Sequence, residues 1–103
     1  DSFCPIGPWR SAEEVPDPQA LRIVTTLNGD VVQDGATSDM IFSVRDIIAH
    51  LSQDTTLPAG TVLLTGTPSG VGAGKTPPRF LRGGDSVEVS IAGVGTLRNP
   101  VQA

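Results

Sequence analysis

At 103 residues the chain suits one small domain and not two, and 38% hydrophobic residues allow only a modest core. Eleven acidic against seven basic side chains leave a formal charge of −4, which argues against nonspecific binding to nucleic acid or an anionic membrane. No stretch approaches the roughly eighteen apolar residues of a membrane span, and a single cysteine, Cys4, fits a reducing, cytoplasmic setting.

The first nineteen residues carry Pro5, Pro8, Pro16 and Pro18 and predict an ordered, irregular segment. A short turn is expected at Ser11–Glu14, with Ser11 as its cap and Glu14 three residues on. With only His50 available as a base, Cys4 reads as buried or inert. Leu21 to Leu27 is rich in β-branched residues and predicts a strand. Asn28-Gly29 is a strong hairpin signal, and Val31-Val32 begins the return, so Leu21 to Gln33 reads as a β-hairpin. Trp9 and Met40-Ile41-Phe42 are expected in the core or at a subunit interface.

Ser43 is a good N-cap and Asp46 supplies an acid in the first turn, so a helix opens here. Val44, Ile47, Ile48 and Leu51 then fall on one apolar face. Arg45 and His50 lie off that stripe, which makes His50 a solvated residue rather than a ligand. Pro58 and Gly60 close the connection, and Thr61 to Thr65 is expected to be a buried strand. Leu81 to Asp85 reads as a turn. Val87, Val89 and Ile91 alternate with Glu88 and Ser90 as in a half-buried strand, Gly93-Val94-Gly95 reverses the chain, and Thr96 to Val101 pairs back. One helix and about six short strands, mostly joined by hairpins, indicate a β-rich α+β domain with an antiparallel or mixed sheet.

The run Leu63-Leu64-Thr65-Gly66-Thr67-Pro68-Ser69-Gly70-Val71-Gly72-Ala73-Gly74 is the most informative stretch. A strand leads directly into a loop of small residues, where a ligand can approach the backbone closely. Backbone N–H groups and the hydroxyls of Thr65, Thr67 and Ser69 are potential donors to an anion. A glycine-rich turn with no ligand remains the plain alternative. The loop is not a nucleotide-binding P-loop: only three residues separate Gly70 from Gly74-Lys75-Thr76, where that motif needs four. Pro77 and Pro78 also follow at once, where a helix would have to begin.

Four segments together carry a resemblance. FCPIGPW at Phe3–Trp9, TSDMIFSV at Thr37–Val44, LLTGTPSGVGAG at Leu63–Gly74 and GDSVEVSIAGVGTLRNPV at Gly84–Val101 resemble, in order, the C-terminal part of the fumarylacetoacetate hydrolase family. The resemblance covers essentially the whole chain. It implies that residues 1–103 are the C-terminal portion of a catalytic domain built as a mixed β-sheet roll with one main helix. It also implies a metal-dependent hydrolase, isomerase or decarboxylase for small 2-oxo or 1,3-dicarbonyl acids, of the acylpyruvate, hydroxymuconate or hydroxyheptadienedioate type. Its members handle such acids through a metal-stabilised enolate, as in aromatic-compound breakdown, and are commonly homodimers. The cation is Mg²⁺, or Mn²⁺ or Ca²⁺, held by three carboxylates.

Two of the family's metal-binding glutamates sit in a Glu-x-Glu motif, and its aspartate in an Asn-Asp-Val-Ser-like segment. Neither motif occurs here: Glu13-Glu14 are adjacent, and Asp39 and Asp85 belong to other family segments. No metal ligand and no catalytic residue is therefore assigned to this chain. The family's Thr-Gly-Thr-Pro threonine contacts the substrate carboxylate or carbonyl oxygen, and its position is Thr67 here, with Gly66 beside it. A local side-chain-to-backbone turn bond is the plain alternative for Thr67. The Asp1 start, which falls mid-sequence in the family's pattern, suggests a fragment or processed product, expected to be inactive by itself. A non-catalytic β-rich interaction or dimerisation module is the other reading.

Overall fold

In a computed structural model, the structure describes residues 3–102. The sheet is built from two hairpins. Strands β1 (Arg22–Leu27) and β2 (Asp30–Ala36) form the first, and β3 (Ser86–Ile91) and β4 (Gly95–Pro100) the second. Asn28 and Gly29 turn the first hairpin with φ of 54° and 91°, the left-handed conformation that an Asn-Gly pair adopts at little cost. Strands β1 and β3 pair across the middle, giving the order β2-β1-β3-β4, antiparallel at every junction.

Alternation along the strands then sorts the side chains. Ile23, Thr25 and Leu27 stand opposite Ile91, Val89 and Val87, and Val89 stands opposite Leu97, so one face is largely apolar. The other face carries Arg22, Thr26, Glu88, Ser90 and Arg98, with Arg22 paired to Asp34 at 2.6 Å. The register of the first hairpin shifts between Thr25 and Thr26: Thr25 faces Gln33, Thr26 faces Val31, and Val32 is left as the extra residue of a bulge.

Helix α1 (Val44–Leu51) begins at the expected cap. The Ser43 hydroxyl accepts from the Asp46 N–H at 3.1 Å, and the Asp46 carboxylate accepts from the Ser43 N–H at 3.0 Å. The Ser43 hydroxyl also donates to the Asp46 carboxylate at 2.6 Å, and this bond first, then the Ser43 N–H, holds the Asp46 carboxyl below its usual range. Gln19 ties this end of the helix to the rest, its Oε1 accepting from the Val44 N–H and its Nε2 donating to the Thr37 carbonyl. His50 is exposed, as its place off the stripe predicts. The turn at Ser11–Glu14 also forms, with the Glu14 carboxylate accepting from the Ser11 N–H.

Several expectations need correction. Thr61 to Thr65 is not a strand: it pairs with no described residue's ladder, and Val62 and Leu64 are 60% and 85% exposed. An apolar run becomes a buried strand only where another strand and a covering layer meet it, and among the described residues no strand pairs with this run. Strands therefore number four among the described residues, not about six. Of the residues expected in the core or at a subunit interface, Met40 is half-buried, while Trp9, Ile41 and Phe42 are exposed and so are not core in this chain. Cys4 is exposed, not buried. Among the described residues no apolar side chain is fully buried. The α1 stripe shares this condition: Val44 and Ile47 are half-buried, and Ile48 and Leu51 are exposed. No helix of the described residues is long and apolar enough to cross a membrane.

Candidate functional site

The glycine-rich loop lies along β2, and the fit between them is made by missing side chains. A Cβ on Gly70 would stand 2.1 Å from the Val32 carbonyl oxygen, the carbonyl of the bulge residue. A Cβ on Gly35 would stand 2.9 Å from the Pro68 ring. Gly70 also has φ of 108°, which side-chain-bearing residues rarely adopt. Two glycines, one on each partner, thus let the backbones of loop and strand come together.

Gln33 completes the attachment. Its Nε2 donates to the Thr67 hydroxyl oxygen at 2.8 Å and to the Pro68 carbonyl at 2.7 Å. Thr67 itself is exposed, and so are Thr65, Gly66 and Ser69. Gly66 has φ of 90°, and the space where its Cβ would lie is open to at least 4 Å. Thr67 and Gly66, singled out by the sequence, are both exposed, and the Thr67 hydroxyl is also one of the loop's two points of attachment to Gln33. The hydroxyl is not consumed by a local turn bond to backbone: its partner is a strand side chain 34 residues away.

Beyond Gly70 the chain folds back over the apolar sheet face. Gly72–Gly74 form a single 3₁₀ turn and not the helix start that a P-loop requires. Arg79 N–H donates to the Gly72 carbonyl at 2.9 Å and closes this excursion. Between it and the sheet lies a cleft of about 310 Å³, with Leu27, Val32 and Val87 on the sheet side and Val71, Phe80 and Leu81 on the other.

A polar cluster at Asp85, which the sequence did not single out, anchors the far end. Asp85 is buried and accepts from Asn28 Nδ2 at 2.9 Å, from the Arg82 N–H at 2.8 Å and from the Arg79 guanidinium at 2.8 Å. These donors, led by the Asn28 amide, hold the Asp85 carboxyl down at about 2. Asn28 Oδ1 in turn accepts from the Ser86 N–H. One side chain thus joins the β1–β2 turn to the start of β3. The Asn-Gly pair announces the turn, but nothing local to it announces a partner 57 residues away.

The acids do not assemble into a cation site. Among the described residues no three His, Cys, Asp or Glu side chains come together, so the residues present do not fit a carboxylate-held metal. Asp39 accepts from the Ala36 N–H at 3.3 Å, and Glu14 is occupied at its own turn.

A family model described as the fumarylacetoacetate (FAA) hydrolase C-terminal domain matches residues 1–102. The chain is 46% identical over 102 residues to the oxaloacetate tautomerase YisK of Bacillus subtilis, covering 98% of this chain and 34% of that protein. A fumarylacetoacetate hydrolase from psychrophilic Exiguobacterium antarcticum superposes with a TM-score of 0.94 at 45% identity, over 100% of this chain and 37% of that one. Maleylpyruvate hydrolase from Sphingobium sp. SYK-6, in complex with manganese (II) ion and pyruvate, superposes with a TM-score of 0.87 at 36% identity, over 99% and 36%. The chain spans about a third of the length of the curated relatives it matches.

Proposed function

The chain belongs to the fumarylacetoacetate hydrolase family, and from that premise we propose that residues 1–103 are the C-terminal portion of a catalytic domain acting on small 2-oxo or 1,3-dicarbonyl acids. The reaction is hydrolysis, isomerisation or decarboxylation through an enolate, on acids of the acylpyruvate, hydroxymuconate or hydroxyheptadienedioate type. The relatives include an oxaloacetate tautomerase and a maleylpyruvate hydrolase, which support a 2-oxo acid as the substrate class. Thr67 and Gly66 meet the substrate's carboxylate or carbonyl oxygen. The observation that carries this is Thr67, an exposed residue beside open Gly66, on a loop that Gln33 of β2 holds through the Thr67 hydroxyl and the Pro68 carbonyl. Hydroxyl and amide donors held by a rigid strand need little rearrangement to meet an oxyanion.

The divalent cation that the family implies is Mg²⁺, with Mn²⁺ or Ca²⁺ as alternatives. We place its ligands in polypeptide other than these residues, because the described acids do not converge. The manganese of the maleylpyruvate hydrolase complex supports a divalent ion as the class. A homodimer accords with the exposed Trp9, Ile41 and Phe42, and a cytoplasmic setting with the single, exposed Cys4. A role in aromatic-compound catabolism belongs to the same proposal, and nucleic acid and membranes are not partners in it.

Titration of oxalate, an enolate mimic, into the Mg²⁺-loaded protein that carries this chain tests the site. Thr67→Val is expected to weaken oxalate roughly tenfold, as for a lost bond to a charged group. Unchanged oxalate affinity in that variant would remove Thr67 from the site. The 103 residues alone are expected to bind neither Mg²⁺ nor oxalate.

A further inference from the structure

We propose that Gln33 is a positioning residue for this site: it sets the direction in which the Thr67 hydroxyl can donate, and so makes Thr67 a donor toward the ligand. The proposal rests on the reading of Thr67 as a substrate contact.

The argument begins with the Pro68 carbonyl. A carbonyl oxygen only accepts, so the end of the Gln33 amide 2.7 Å from it must be the NH₂ group. The reversed amide would set two oxygens against each other. The same nitrogen lies 2.8 Å from the Thr67 Oγ1. An amide nitrogen carries two hydrogens, and here each has one oxygen to meet. Thr67 Oγ1 therefore accepts from Gln33, and its own hydrogen is left free. Because Thr67 is exposed, that hydrogen is available to a substrate oxygen outside the loop.

The strand makes this orientation durable. Gln33 stands in β2 opposite Thr25, the buried residue of β1, so its backbone is held by the ladder. It adjoins the Val32 bulge, which brings the strand's carbonyl against Gly70, and Gly35 receives the Pro68 ring two residues further on. Loop and strand are thus fixed on both sides of the Gln33 amide. A hydroxyl without this partner would share its hydrogen among several directions, and a site that must bind an anion gains from removing that freedom.

Two substitutions separate orientation from packing. Gln33→Ala removes both donated bonds. Gln33→Glu keeps the shape but, when ionised, can only accept, so it draws the Thr67 hydrogen inward, away from the ligand. In the full protein that carries this chain, both are expected to raise the KM for a 2-oxo acid roughly tenfold or more, with a smaller change in kcat. The Gln33→Glu variant is expected to recover affinity as the pH is lowered, because a protonated carboxyl donates again. A structural role through the Pro68 carbonyl would recover as well, so the pH series is repeated in the Thr67→Val background, where recovery is expected to vanish if Gln33 acts through the Thr67 hydroxyl and to persist if it only fastens the loop. The double variant Gln33→Ala/Thr67→Val is expected to be no worse than Thr67→Val alone, since Gln33 acts through Thr67.

The outcomes are distinguishable. If Thr67→Val leaves KM unchanged, the Thr67 reading fails and this proposal fails with it. If Thr67→Val raises KM but Gln33→Ala and Gln33→Glu do not, or if the Gln33 effect persists undiminished in the Thr67→Val background, Thr67 stands and the proposal is overturned. Should Gln33→Ala fail to fold, the near-isosteric Gln33→Glu decides, through its pH profile with Thr67 present and in the Thr67→Val background.

Discussion

Asp85 shows how much one buried carboxylate can organise when every donor around it is supplied. Asn28 reaches it from the hairpin turn, the Arg82 N–H from its own turn, and Arg79 from the end of the loop excursion. The consequence is a pH dependence with a definite sign. Its folded-state value of about 2 lies below the ordinary 3.8, so the stabilisation is complete above about pH 4 and is lost as the pH falls from there toward 2. A urea-denaturation series from pH 6 to pH 2.5 on the protein that carries this chain should show the midpoint falling through that window. Asp85→Asn should lower the midpoint at neutral pH and flatten the acid limb. An acid limb unchanged by the substitution would mean that other carboxylates carry the effect. Arg22–Asp34, by contrast, is an exposed pair on the polar face, whose worth is small because water screens it.

Among elements, the contact between the glycine loop and β2 matters most for the site. Gly66 and Gly70 both have positive φ, but they differ in what surrounds them. Around Gly66 there is room, so Gly66→Ala is expected to cost only the backbone strain, about 1–2 kcal/mol. At Gly70 the added methyl would also drive into the Val32 carbonyl, so Gly70→Ala is expected to cost more and to lift the loop from the strand. Amide hydrogen exchange distinguishes the two: protection in β2 and the following loop should fall in Gly70→Ala and hold in Gly66→Ala. Equal loss in both would show that strain alone, and not the close approach, sets the cost. The helix illustrates the converse. Its cap forms as local chemistry dictates, yet its apolar stripe stays largely uncovered, because capping is decided within four residues and burial is not.

For the whole molecule, the decisive observation is the lack of any fully buried apolar side chain among the described residues, beside highly exposed Trp9, Ile41, Leu64 and Phe80. So much uncovered apolar surface is unusual for a soluble body standing alone. The isolated 103 residues are therefore expected to bind an apolar dye such as ANS, to self-associate in sedimentation, and to melt without a sharp transition. A monomeric, dye-free isolated chain with a sharp transition would contradict this. By itself the sequence determined what depends on near neighbours: the Asn28-Gly29 hairpin, the Ser43 cap, the alternation of Val87, Val89 and Ile91, and the ordered motifs that mark the family. Only the tertiary structure decided that Thr61–Thr65 stays unpaired, that Gln33 holds Thr67, and that Asn28 and Arg79 converge on Asp85. The reason is range. Turn, cap and strand preferences are written within a few residues. The partner of a side chain, or of an apolar run, is set by whatever distant segment the fold brings beside it.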